Sequence, residues 1–226
     1  TLDAWVERMK EEVKTCPVTM FRSQLRHFLP GDHCEAADKL PKMMPAAEFR
    51  KTEGGQCMKA YNGLVELTVG PLAGRAEVEQ VKREAWKLPQ TRCAFMGASG
   101  HSVKILVAFT RPDNTLPLTR AEAEAFHAHA YIMAVKCYQP QLSFDIRPKE
   151  PFLEQYSRLS YDPDVLYRPD SVQFYLSQPM GMPDEMALHT EPAVSGQRPL
   201  ERALGSYETG RSEEHTSELQ SPWHRG

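Results

Sequence analysis

The chain has 226 residues, of which 41% are hydrophobic and 25% are charged, as is usual for a globular protein with a buried core. Its formal net charge of −3 excludes a nucleic-acid footprint over the whole surface, so such binding requires a local basic patch. No run is apolar enough to cross a membrane and no signal-peptide pattern occurs, which predicts a cytoplasmic protein without membrane partners. The cysteines are scattered without a CxxC pair and indicate reduced thiols rather than disulfides or a zinc site: Cys16, Cys34, Cys57, Cys93 and Cys137.

The first half of the chain contains three periodic segments. Apolar residues at helical spacing predict a helix over Leu2–Lys14. An irregular, proline-marked stretch runs from Leu29 to Phe49. The run "YNGLVELTV" then predicts a strand over Tyr61–Val69, and "AEVEQVKREAWKL" predicts a helix over Ala76–Leu88.

The second half continues with two strands and a long helix. "CAFMG" predicts a short strand that ends in a glycine loop, and "SVKILVAF" predicts the strand after it. Thr119 and Glu122 form a capping box, which predicts a helix from Thr119 to about Tyr138. The remainder contains one or two short strands among turns. The β-α-β-β-α order predicts an α+β fold, a mixed sheet with helices on one face.

The C-terminal end has a different character. Residues 178–210 are rich in Pro, Gly and polar residues and are expected to be a linker to a C-terminal domain missing from this chain. "RSEEHTSELQS" at 211–221 is the translation of a common short-read sequencing adapter, so residues 211–226 are expected to be an artefact. Because the chain also begins at Thr1 rather than Met, we expect a fragment cut at both ends.

Alternation assigns the polar residues of both long strands to one sheet face. Glu66 and Thr68 lie opposite the apolar row of the first strand, and Ser102 and Lys104 lie opposite the apolar row of the later one. An ammonium group beside a Ser-Gly loop can share a phosphate with the loop amides, which indicates an anion site on an open face. The alternative is a solvated sheet face with a surface lysine.

Four segments carry a resemblance to a known family. In order they are "KLPKMMPAAEF", "YNGLVEL", "CAFMGASGHSVKILVAF" and "SRLSYDPDVLYRPDSVQF", with Arg158–Pro163 the most specific block. Residues 40–177 thereby resemble the VirE N-terminal-domain family of Bacteroidetes, which is similar to the primase-polymerase (archaeo-eukaryotic primase) superfamily. The resemblance implies an RRM-like sheet over 40–177, preceded by an N-terminal helix and lead-in over 1–39. It also implies a position upstream of a helicase or ATPase domain in a mobile-element protein.

The family's catalytic pattern is degenerate in this sequence. Primase-polymerases hold two divalent metals with an Asp-x-Asp at the end of the first strand, and the resemblance places Thr68 and Gly70 at these positions. Neither can ligate Mg²⁺ or Mn²⁺ as a carboxylate does. Glu66 lies about 6–7 Å earlier along the strand. Together with Asp145 or Asp162 it is the possible substitute ligand.

The phosphate-binding pattern is better preserved. The relatives' Ser-Gly-x-x-x-His motif reads Ser99, Gly100 and Lys104 here, with Ser102 on the same loop. Lys104 thus replaces a nucleotide-binding histidine, and both side chains can donate to a phosphate. Arg158 either joins Lys104 in a basic site or pairs with Asp162 or Asp164 to hold a turn; both readings remain open.

These patterns predict a non-catalytic module of a mobile-element replication protein that binds nucleic acid or nucleotide phosphate without a metal or other cofactor. Two alternatives remain. One is a structural docking domain for a downstream helicase or ATPase. The other is an active DNA primase-polymerase with substituted metal ligands, which would require Mg²⁺ or Mn²⁺.

Overall fold

The computed structural model describes residues 1–11, 17–25, 34–53 and 55–176. The predicted linker and the adapter-derived segment lie outside the described residues, so both stay predictions. None of the described helices has the length and apolarity needed to cross a membrane.

The described residues contain five α-helices and nine strands. The helices are α1 (Leu2–Lys10), α2 (Pro17–Leu25), α3 (Glu35–Asp38), α4 (Arg75–Trp86) and α5 (Arg120–Tyr138). The strands are β1 (Lys42–Met43), β2 (Ala47–Thr52), β3 (Gly55–Tyr61), β4 (Leu64–Val69), β5 (Thr91–Met96), β6 (Val103–Thr110), β7 (Ser157–Arg158), β8 (Leu166–Tyr167) and β9 (Phe174–Tyr175).

A five-stranded sheet forms the centre of the fold. Strands β4, β6, β5 and β8 lie side by side in that order, each antiparallel to its neighbour, and β9 pairs in parallel with the end of β6. The register pairs Thr68 with Lys104 and Glu66 with Leu106. Helices pack against this sheet, which confirms the predicted α+β class.

The main core lies between the sheet and helices α4 and α5. The predicted apolar rows supply it, since Val65, Leu67, Ile105 and Val107 are fully buried in one cluster with side chains of both helices. Helix α5 begins where its capping box predicted, because the Thr119 side chain accepts a hydrogen bond from Glu122 N at 3.3 Å.

A second core covers part of the opposite sheet face and corrects the expectation that helices occupy one face only. Phe95 and Leu106 point away from the main core and are fully buried against Val6, Met9 and Phe21 of α1 and α2, with further apolar residues. The physical reason is that this face is apolar on β5 and polar on β4. The N-terminal helices therefore pack over β5 on this face, and the polar residues of β4 are not covered by them.

The predicted strand Tyr61–Val69 is observed as β4 from Leu64 onward, whereas Tyr61 is the last residue of β3. Gly63 interrupts it with φ +67°, and a Cβ there would collide with the Phe109 carbonyl oxygen. Residues before the break form β3, which pairs with β2 in an antiparallel hairpin. Only the start of β2 lies within the stretch expected to be irregular. The predicted helix over Leu2–Lys14 ends at Lys10, because Glu11 is extended at ψ 122°; the positions from 12 onward lie outside the described residues.

Candidate functional site

The polar face of β4 and β6 brings three of the predicted site residues together. Lys104 Nζ lies 2.8 Å from Glu66 Oε1 and 2.9 Å from Thr68 Oγ1. The contact follows from the antiparallel register, which places Thr68 directly opposite Lys104 and Glu66 two residues away on the same face. Glu66, Thr68 and Lys104 therefore form one hydrogen-bonded cluster.

Residues 146–149, which we call the crossing segment, run along the edge of this face and bury part of what was expected to be an open surface. Ile146 bridges to Val69, and Arg147 N donates to Thr68 O at 2.7 Å, so the chain after α5 runs beside β4. Lys149 then reaches Glu66 Oε1 at 3.2 Å, and the Ser157 hydroxyl donates to Glu66 Oε2. Glu66 is consequently only 6% exposed.

The two lysines determine the charge state of the buried carboxylate. Burial raises the pKa of Glu66, but the charges of Lys104 and Lys149 and the hydrogen bonds from Lys104 and Ser157 outweigh it, so the pKa lies below its usual value. Burial lowers the pKa of Lys149, and the Glu66 charge opposes this shift without cancelling it. Glu66 is therefore an anion that is neutralised by ammonium groups.

An open cleft of about 510 Å³ lies over this cluster. We call it the sheet cleft; it is lined by Glu66, Thr68, Lys104, Lys149, Phe152, Glu154, Gln155 and Tyr156. Two aromatic side chains in its wall are exposed, Phe152 by 57% and Tyr156 by 43%. Lys42 Nζ lies 4.6 Å from the centre of the Tyr156 ring, and the Arg158 guanidinium lies 5.5 Å from it. The sheet cleft thus combines cations with accessible rings.

The residues at the centre of the sheet cleft do not fit a pair of divalent metals. Thr68 offers a neutral hydroxyl, and Lys104 already donates to it. The Glu66 carboxylate is engaged by two ammonium groups and a hydroxyl. Gly70 adopts φ +133°, and a Cβ there would lie 2.9 Å from His101 O, so the backbone disfavours an aspartate at this position. No catalytic step through metals follows from this arrangement.

The two other carboxylates considered as substitute ligands lie elsewhere. Asp145 is exposed at the end of β4, where its carbonyl oxygen accepts from Gly70 N at 3.4 Å. Asp162 is buried, accepts from Met96 N at 2.7 Å, and pairs with Lys82 at 2.9 Å. Neither residue lines the sheet cleft.

Asp162 belongs to a second group of carboxylates. Its ligand oxygen lies within 4.8 Å of those of Glu79 and Asp164. The Lys82 ammonium contacts two members of this group, since it lies 3.2 Å from Glu79 and 2.9 Å from Asp162. Arg75 neutralises the third, at 2.6 Å from Asp164. Lys82 and Arg75 thus hold all three carboxylates in ion pairs, an arrangement that favours a structural role.

The glycine loop is organised by its own hydrogen bonds. Gly100 N donates to Gly97 O at 2.9 Å, Gly97 N donates to Ser102 O at 2.8 Å, and His101 N lies 3.3 Å from Ser99 Oγ. Ser99, Gly100 and Ser102 do not line the sheet cleft, in which Lys104 lies. A shared phosphate site of loop and lysine therefore stays a prediction.

Arg22 of α2 fixes this loop from outside. It donates to Ala98 O at 2.9 Å and to Gly97 O at 3.3 Å, and it also reaches Ser160 Oγ and Tyr161 O, each at 3.1 Å. One guanidinium thus ties the loop to the segment that follows β7. No local pattern around Arg22 signals this role.

Arg158 adopts neither of the two arrangements considered from the sequence. Its Nη2 lies 3.1 Å from Asp38 Oδ1, and its Nε donates to Ala37 O at 2.9 Å, so it anchors α3. The side chain is about one-third exposed and lies beside the Tyr156 ring. Arg158 therefore borders the sheet cleft without contacting Lys104.

Sequence reasoning missed Lys149, Ser157 and the aromatic wall of the sheet cleft. They lie in an irregular segment far along the chain from Glu66, separated by 83 residues for Lys149 and 91 for Ser157. The one usable signal is the run from Lys149 to Arg158, which places basic and aromatic residues close together without helical or strand periodicity.

The fold and this site define an α+β domain that carries a cleft with lysines and aromatic rings on one sheet face. The family model of the BT4734-like, N-terminal domain matches residues 35–167, more than half of the chain, and the chain belongs to this family. The matched residues include every residue that lines the sheet cleft. A search of the curated proteins and a search of the solved structures found no match.

Proposed function

We propose that this chain is a non-catalytic, primase-polymerase-like module that binds the phosphate groups of nucleic acid or nucleotides. In this proposal it is the N-terminal part of a VirE-like replication protein of a mobile element, acting beside a helicase or ATPase domain. The observation that carries the proposal is the sheet cleft, where Lys104 and Lys149 are about one-fifth exposed beside two accessible aromatic rings.

Cations and rings together favour a single strand as the nucleic-acid ligand. Proteins that bind single strands combine basic side chains along the backbone with aromatic side chains on which bases stack. Tyr156 and Phe152 are the candidate stacking residues. Lys42 extends the basic character beyond the lysines of the sheet cleft, because it lies over the Tyr156 ring and is itself exposed.

The chemistry of the residues at the centre of the sheet cleft, which does not fit two divalent metals, supports binding without catalysis. Two-metal nucleotidyl transfer depends on positioning and on neutralising charge by metals held on carboxylates. In the described residues the Glu66 carboxylate is bound to lysines, and Asp162 is bound to Lys82. The resemblance of residues 40–177 to primase-polymerases supports the class of ligand, since it places Lys104 at the position of a nucleotide-binding histidine.

The test is the fluorescence anisotropy of a labelled oligothymidylate titrated with the full chain at several salt concentrations. We expect binding that weakens as salt rises, because phosphate contacts release counterions. Lys104→Met is expected to weaken binding roughly tenfold, the effect of losing one charge-assisted contact. Lys87→Met is the matched control, since Lys87 is an exposed lysine at the end of α4 and does not line the sheet cleft.

The rings are tested by a conservative pair of variants. Tyr156→Ala removes the stacking surface and is expected to weaken binding roughly tenfold, whereas Tyr156→Phe keeps the ring and is expected to bind as the wild type does. A chain that binds no oligonucleotide at low salt contradicts the proposal and favours a docking domain. Incorporation of nucleotides in Mn²⁺ that Glu66→Ala abolishes would instead favour the active enzyme.

A further inference from the structure

The centre of the sheet cleft is built around one carboxylate oxygen shared by two ammonium groups. Lys104 Nζ lies 2.8 Å from Glu66 Oε1, and Lys149 Nζ lies 3.2 Å from the same atom. The second oxygen, Oε2, accepts from the Ser157 hydroxyl. Both lysines are thereby held at one carboxylate from two parts of the fold, Lys104 from strand β6 and Lys149 from the irregular crossing segment.

The two ammonium groups retain unused donors that can reach the sheet cleft. Each ammonium carries three N–H donors. Within the described residues Lys104 uses two of them, on Glu66 and Thr68, and Lys149 uses one, on Glu66. Three donors are left, and the side chains of Lys104 and Lys149 are 21% and 22% exposed. An oxyanion in the sheet cleft can accept from both lysines at once.

The charge balance of the cluster also favours an anion. Two lysines and one glutamate leave a formal charge of +1 at the base of the cleft, and Glu154 in its wall is paired with Arg120. Glu66 is 6% exposed, against 21% for Lys104 and 22% for Lys149, so the ammonium groups are more accessible to an incoming anion than the carboxylate is. A divalent cation would meet the two ammonium groups in the same way and be repelled by them.

We infer that Lys104 and Lys149 together bind one phosphate group directly, without a divalent metal, and that Glu66 is a positioning residue which holds the two ammonium groups. This inference rests on the proposed function and adds the phosphate-binding donors and the independence from metal. The phosphate belongs either to a nucleic-acid backbone or to a free nucleotide, since both present the same anionic oxygen acceptors. The role assigned to Glu66 is opposite to that of a substitute metal ligand.

The first experiment measures affinity with and without metal for both sources of phosphate. The full chain is titrated into labelled oligothymidylate and, separately, into a fluorescent ATP analogue, once in EDTA and once in Mn²⁺. We expect affinities in EDTA and in Mn²⁺ that agree within about twofold, and the probe that binds more tightly identifies the source. Binding that occurs only in Mn²⁺ overturns the inference but leaves the proposed function standing. No binding of either probe in either condition overturns both.

The second experiment assigns the donors. Lys104→Met and Lys149→Met are each expected to weaken metal-free binding roughly tenfold, while Lys87→Met leaves it unchanged. Wild-type affinity in both cleft variants overturns the inference. Circular dichroism of each variant verifies that it is folded.

Glu66→Gln separates a positioning residue from a metal ligand. The glutamine keeps an oxygen that accepts from both ammonium groups and removes the negative charge below the phosphate, so metal-free affinity is expected to rise several-fold. A metal ligand predicts the reverse, a loss of binding that Mn²⁺ otherwise supports, and that result overturns the inference. If Glu66→Gln does not fold, the comparison of affinities in EDTA and in Mn²⁺ and the affinity of Lys149→Met still test the inference.

Discussion

The ion pair between Lys82 and Asp162 offers a sharp test of the structural role assigned to Asp162. Lys82 lies on the buried face of α4 and is 0% exposed, and Asp162 is 1% exposed. The Lys82 ammonium lies 2.9 Å and 3.0 Å from the two oxygens of Asp162. Lys82→Met keeps most of the side-chain volume and removes the charge, leaving a buried carboxylate with the two backbone donors Met96 N and Asp164 N.

Breaking a buried pair by removing one partner costs about 3–5 kcal/mol of the free energy of unfolding, because the remaining charge is not compensated. A domain of this size is stable by roughly 5–15 kcal/mol, so the effect is large. Asp162→Asn is expected to cost less, since Lys82 keeps Glu79 at 3.2 Å. The double variant Lys82→Met/Asp162→Asn is expected to be more stable than Lys82→Met alone, because no buried charge is left without a partner.

Urea unfolding, monitored by circular dichroism, gives the free energy of unfolding of the three variants and of the wild type. If Lys82→Met lowers the free energy of unfolding by less than about 1 kcal/mol, the reasoning is refuted. A buried carboxylate that loses its cation is expected to destabilise the fold by more than that. Strict additivity of the two single changes would also refute it, because residues in direct contact are expected to couple. A Mn²⁺-dependent gain in stability at Asp162 would assign this carboxylate to a metal instead.

Three further predictions concern other parts of the fold. Burial lowers the pKa of His127 from 6.5 to about 4, and the Lys149 charge adds to this shift. As the pH drops from 6.5 to about 4, the unfolded chain is therefore protonated at this residue before the folded chain is. The free energy of unfolding is expected to fall by up to about 3 kcal/mol over this range. His127→Gln is expected to remove this part of the pH dependence of the free energy of unfolding, measured by urea titration. If the variant keeps the wild-type pH dependence, His127 is not its source. Gly70→Asp is expected to destabilise the fold by about 1–3 kcal/mol without creating Mn²⁺ binding, because φ is +133° there; calorimetric Mn²⁺ binding by this variant would contradict the account. Arg22→Ala is expected to speed hydrogen exchange of the Gly97 and Gly100 amides, since it removes the donors that hold the loop, and wild-type exchange rates at both amides would contradict that.

The alternation of side chains along the strands is sufficient to predict the part of the site that lies on the sheet. Alternation along β4 and β6 placed Glu66, Thr68 and Lys104 on one face, and the register brings them within hydrogen-bonding distance. The alternation of β6 also places Leu106 on this face, but alternation alone does not reveal that residues of α1 and α2 bury it. Helix packing over a distant strand depends on tertiary contacts that no local pattern encodes.

The other half of the site could not be read from local sequence. Lys149 and Ser157 contact Glu66 only because the chain after α5 turns back along β4 at Val69 and Ile146. Such a crossing has no period of 2 or 3.6 residues and therefore leaves no periodic signal in the sequence. The hairpin of β2 and β3 was missed for a related reason, since the expected proline-marked irregular stretch reached Phe49 and included the start of β2.

The central claim is that Lys104 and Lys149 contact phosphate in the sheet cleft. The most direct measurement is the slope of log affinity against log salt for a labelled oligothymidylate, compared between the full wild-type chain and the Lys104→Met/Lys149→Met double variant. Each phosphate neutralised on a single strand contributes about 0.7 to this slope. Because the two lysines share one phosphate, the account predicts a slope that is shallower by about 0.7 in the double variant. An equal slope in both chains would place the phosphate contacts elsewhere and contradict the account.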